Sequence, residues 1–82
     1  MDNLIRLRFV FENEQSSINL DANNKIKLIK NIIQISQKTD LNNYDIVYKN
    51  KILKNTENTI KETIGKDQMP IFYFKNKGKL IK

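Results

Sequence analysis

Apolar residues fall at every second position over Leu4 to Phe11. There Ile5, Leu7, Phe9 and Phe11 alternate with Arg6, Arg8 and Val10, which predicts a strand with one buried face. A second alternating run, Ser17 to Ala22, follows the polar stretch Glu12 to Ser16, and its inward residues should be Ile18 and Leu20. Asn13 can take the left-handed conformation that lets a hairpin close without glycine. The period then lengthens. Ile26, Ile29 and Ile33 recur at helical spacing, so a helix should begin after Asp21 to Asn24, capped by Asn23 or Asn24, and run to Gln37 or Lys38. A one-sided hairpin is thus followed at once by a one-sided helix able to cover it.

The second half repeats the scheme on a smaller scale. Asp45 to Tyr48 predicts a third strand, Lys49 to Lys51 a tight turn with Asn50 at positive φ, and Ile52-Leu53 a short returning piece. After the polar loop Lys54 to Asn58, Thr59 to Gly65 predicts one helical turn with a threonine cap and a glycine stop. The last strand is Ile71 to Lys75, with Pro70 at its first position, where a missing amide does least harm to the ladder. Phe72 and Phe74 are expected inward and Tyr73 outward, because Tyr73 then keeps its hydroxyl in water. Residues 1–75 are expected to form the domain and 76–82 a basic flexible tail.

One feature exceeds what a single sheet needs. Leu28, Ile32 and Ile35 form a second apolar stripe roughly 90 to 150° around the helix from Ile26, Ile29 and Ile33. The favoured expectation is a wider core, with this stripe packed under the loops from Asn42 to Asn58; the other is a contact surface for another chain or for the rest of a longer protein.

Composition narrows the chemistry. The 82-residue chain has no cysteine and no histidine, so disulfides, thiolate metal sites and the commonest general base are all absent. Its acids are scattered without pairing, and its two glycines form no phosphate-cradling motif. These absences weigh against an enzyme, and no cofactor, metal or small-molecule substrate is expected. Charge interrupts the apolar residues at the start, and no run approaches the roughly 20 apolar residues of a membrane span, so a cytoplasmic or nuclear protein is expected. The net charge of +6 favours acidic partners in general, but the Asn, Lys and Ile bias of an AT-rich genome would give it equally well, and it is discounted.

The order strand, strand, helix, strand, short strand, helical turn, strand resembles the ubiquitin-like β-grasp family over Leu4 to Lys75. The most specific stretch is Lys25 to Ile33, followed at matching distance by Asp45 to Leu53, which looks like that family's helix and its Leu-Ile-Phe-x-Gly-Lys-x-Leu hairpin. The resemblance implies an α+β fold, a mixed four- to five-stranded sheet packed on one helix. Two departures stand out. Asn50 replaces the usual hairpin glycine, and Gly78 followed by Lys-Leu-Ile-Lys replaces the paired glycines through which conjugated members are joined to lysine. The expectation is therefore a non-conjugated interaction module, part of a larger adaptor.

In that family the sheet face away from the helix is the usual docking site, and Val47 matches the apolar residue at its centre. The resemblance places Arg6, Arg8, Val10, Lys49, Tyr73 and Lys75 around it. An apolar centre ringed by cations suits a ubiquitin-receptor or proteasome-type helical domain. An ordinary solvated sheet with scattered apolar residues is the simpler alternative. Two other readings keep the fold. A Ras-association or Phox/Bem-like domain would dock an acidic surface through Arg6, Arg8 and Lys25. A nucleic-acid-binding domain would use Lys75, Lys77, Lys79 and Lys82, though such contacts give affinity without sequence reading and weigh little here.

Overall fold

The computed structural model describes residues 4–76. Its elements are β1 (Leu4–Phe11), β2 (Glu14–Asp21), α1 (Ile26–Gln37), β3 (Tyr44–Tyr48), β4 (Lys51–Ile52), α2 (Ile60–Ile64) and β5 (Ile71–Asn76). The strands form one mixed sheet in the order β2-β1-β5-β3-β4, in which β1 and β5 are parallel and the other pairs antiparallel. This is the ubiquitin-like β-grasp arrangement.

The core follows the two periods of the sequence. Leu7, Phe9 and Phe11 from β1, Leu20 from β2, Ile46 from β3, and Phe72 and Phe74 from β5 are buried together with Ile26, Ile29 and Ile33 of α1. Aromatic contacts join strands within the sheet: Tyr48 stacks on Phe72 at 5.1 Å, Phe11 tilts against Tyr44 at 5.4 Å, and Phe9 meets Phe74 edge-on at 6.4 Å.

Several boundaries differ from expectation. The first turn is only Glu12-Asn13, both at positive φ (51° and 68°), and β2 starts at Glu14 rather than Ser17. Two consecutive left-handed residues match the right-handed twist of the strands they join. Lys49 and Asn50 repeat the device at 51° and 66°. The start of β2 escaped the alternation rule because its first four residues lie at an uncovered end of an edge strand, where no face is buried. β4 is Lys51–Ile52, and Leu53 lies beyond it, its amide still bonded to the Ile46 carbonyl at 2.8 Å. Pro70 precedes β5, fully buried, with its carbonyl accepting from the Arg8 amide. Asn76, expected in the tail, closes β5 opposite Tyr44, and the rest of the expected tail lies outside the described residues.

Neither Asn23 nor Asn24 caps α1. The N-cap residue is Lys25, without a side-chain hydrogen bond, and the amides of Ile26 and Lys27 donate instead to the carbonyls of Asn58 and Thr56. α2 carries the expected cap in fuller form: Thr59 and Glu62 make a reciprocal capping box, and Gly65 at φ 59° ends the turn.

The second stripe of α1 divides. Leu28 and Ile32 are half-buried against the core, whereas Ile35 is 77% exposed. Leu28 and Ile32 thus widen the core, while on another flank of α1 Lys30 Nζ donates to the Tyr44 carbonyl and Gln34 Oε1 accepts from the Leu41 amide. By helical geometry Leu28 and Ile32 lie on the opposite flank of α1 from Lys30 and Gln34.

Candidate protein-docking face

Directly opposed residues in a sheet present their side chains to the same side, so register alone fixes what the outer face displays. Val10 pairs with Tyr73, Tyr73 with Val47, and Val47 with Ile52. One apolar row therefore crosses β1, β5, β3 and β4, and Gln15 of β2 extends it with a polar end. Tyr73 is 44% and Ile52 51% exposed, and Val10 and Val47 are half-buried by their neighbours. The helix buries its stripe on the other side of the sheet, and no described element covers this row.

Ile52 was missed in the sequence, where Ile52-Leu53 carried no assigned face. Pairing the short strand to Val47 across a two-residue turn would have found it.

The expected ring of cations is only partly assembled. Arg8 lies on the outer face opposite Ile71, but its guanidinium donates to the Met69 carbonyl at 2.7 Å, and its Nε is buried without a partner. Lys75 stands across from Asp45, an opposite-charge pair on adjacent strands. Lys49 belongs to the turn after β3, and its ammonium sits 5.5 Å from the ring centroid of Tyr48, an inward-facing residue. Arg6 lies four residues before Val10, beside the end of α2, away from the apolar row. The structure thus brings Val10, Val47 and Tyr73 together, sets Arg8 and Lys75 beside them, and separates Lys49 and Arg6.

A shallow depression of about 570 Å³ adjoins the row, bordered by Val10, Val47, Tyr73 and Lys75. It is open, and Glu12, Asn13, Asn50 and Asn76 add a polar border to the apolar row, as at the rim of a protein contact. Among the described residues no cluster of His, Cys, Asp or Glu could hold a metal ion, and no helix is long and apolar enough to cross a membrane.

Lys25, a cation of the Ras-association reading, is already engaged. It meets Glu57 at 2.8 Å, Lys27 meets the same carboxylate at 2.9 Å, and the two hold the Glu57 carboxyl down at about 2.

No protein-family model and no curated protein sequence matches the chain. Solved structures do. The ubiquitin-like domain of an Arabidopsis thaliana protein superposes with a TM-score of 0.79 at 16% identity, covering 98% of this chain and 86% of that one. The UBL domain of yeast Ddi1 gives 0.77 at 16% identity, covering 100% and 96%. A ubiquitin-like protein from Trypanosoma brucei gives 0.73 at 17% identity, covering 94% and 99%. The fold is ubiquitin-like, carried by hydrophobic pattern with little identity.

Proposed function

We propose that this chain is a non-conjugated, non-catalytic ubiquitin-like interaction module of a larger adaptor in the ubiquitin-proteasome pathway, docking a helical partner through its outer sheet face. One observation carries the reading: the uncovered row Val10, Tyr73, Val47 and Ile52 runs across four strands with an aromatic residue at its middle. Its half-buried members are held by the strand ladder, so ordering them on binding loses little entropy. The sequence also contains no adjacent glycines of the kind conjugation uses.

The Ras-association alternative is weaker, because Arg8 is tied to Met69 and Lys25 to Glu57, and breaking either contact would oppose binding. Binding of nucleic acid through the lysines beyond Asn76 concerns residues outside those described.

The test is an amide-shift titration of the labelled protein with a ubiquitin-associated three-helix domain and, separately, with a ubiquitin-binding single helix. Shifts should centre on Val10, Val47, Ile52 and Tyr73, and Val47→Asp should abolish them while leaving the spectrum folded. Shifts confined to the α1 residues Leu28, Ile32 and Ile35, or an unaffected Val47→Asp variant, would reject this face.

A further inference from the structure

A second surface lies at the other end of β1. β5 joins β1 only from Arg8 onward, so Leu4, Ile5 and Arg6 run past it. The segment after α2 flanks them instead. The result is a depression of about 480 Å³, large enough for a short peptide segment, bordered by Leu4, Ile5, Arg6, Ala22, Lys61, Ile64, Gly65 and Lys66 among others. Ala22 and Ile64 are buried, Ile5 is half-buried, and Leu4 is 61% exposed at the rim.

Charge decides what fits there. Arg6, Lys61 and Lys66 border this depression, and among the described residues none of their side chains has a hydrogen bond or ion pair. The acids near it are hydrogen-bonded to neutral donors and keep their charge, and among the described acids only Asp67 borders the hollow itself. Asp67 accepts from the Tyr48 hydroxyl at 2.7 Å, Glu62 is held in the capping box, and Asp21 accepts from the Asn23 amide. Three cations against one carboxylate, around a hollow lined in part by Leu4, Ile5, Ala22 and Ile64, leave a net positive field.

We infer that this hollow is a second docking surface for an acidic segment of a protein partner, an apolar side chain lying against Ile5 and Leu4 while carboxylates on either side meet Arg6, Lys61 and Lys66. A strand rises about 3.3 Å per residue, so Arg6 lies about 13 Å from Val10, and both surfaces can be engaged at once. The acidic segment steers the encounter through its charge and the apolar contact holds it. Phosphate-rich ligands match the cations but leave the apolar lining unused.

The probe is a short synthetic peptide of Asp and Glu around a central Leu-Phe, titrated into the labelled protein. Amides of Arg6, Lys61, Gly65 and Lys66 should shift. The double variant Lys61→Glu with Lys66→Glu should weaken binding by about tenfold or more, as should raising salt from about 50 to about 500 mM. All the substituted side chains are exposed, and the amide spectrum of the variant verifies its fold. Val47→Asp should bind the peptide unchanged, which separates failure here from failure of the sheet-face reading. The inference falls if an Asn/Gln version of the peptide binds equally well, if the shifts move to Val47 and Tyr73, or if single-stranded oligonucleotide or inorganic phosphate displaces the peptide and binds more tightly.

Discussion

Lys25 and Thr59, the residues preceding the two helices, pair in an isolated antiparallel bridge. Around it the helix starts cap each other. The first amides of α1, Ile26 and Lys27, donate to Asn58 and Thr56, while the first amides of α2, Ile60 and Lys61, donate to Asn24 and Ala22. Each helix thus finds its missing acceptors in the loop that leads into the other.

This reciprocity predicts coupled opening. Thr59→Ala removes one half of the capping box and should cost about 1 kcal/mol in urea unfolding. Hydrogen exchange should accelerate at Ile26 and Lys27 as well as at Ile60 to Glu62. Faster exchange confined to α2 would show that the two starts open independently.

Tyr48 and Asp67 predict the pH dependence. Burial, then the hydrogen bond to Asp67, pushes the Tyr48 phenol up to about 12, and that same bond holds the Asp67 carboxyl below its usual range. A raised phenol favours the fold below its unfolded value near 10, and this contribution is lost as pH climbs toward about 12. A lowered carboxyl favours the fold above its unfolded value of 3.8, and that contribution is lost as pH falls through the lower folded value. Tyr48→Phe keeps the stacked ring and should cost about 1 kcal/mol near neutrality, with a flatter stability profile at both extremes. Chemical denaturation across pH reads both effects, and an unchanged profile would remove the pair from the account.

Lys38 offers a gain. It ends α1 at φ 54° and ψ 40°, a left-handed position where a side chain is strained and glycine is at ease. Lys38→Gly should stabilise the protein by about 0.5 to 1 kcal/mol, partly offset by the greater freedom of glycine in the unfolded chain. A lower urea midpoint for the variant would contradict this.

The resolving power of the sequence was highest where burial imposes a period. The alternation of Ile5, Leu7, Phe9 and Phe11 and the helical spacing of Ile26, Ile29 and Ile33 specified the two layers, because a residue placed out of phase would be turned into water. Thr59 and Gly65 marked the start and stop of α2 through local capping and backbone conformation. Val10, Tyr73 and Val47 could be placed on the outer face from alternation once the strands were recognised.

Tertiary structure decided whatever depends on residues distant in the chain. It supplied the cap of α1 from Asn58 and Thr56, packed Leu28 and Ile32 against the core while leaving Ile35 exposed, and brought Ile52 into the apolar row. It also tied Arg8 to Met69 and gathered Arg6, Lys61 and Lys66 around one hollow. Periodicity reports how each segment divides between core and solvent, whereas the neighbour a side chain or amide meets is set by how strands and loops come together, and that is fixed only when the whole chain has closed.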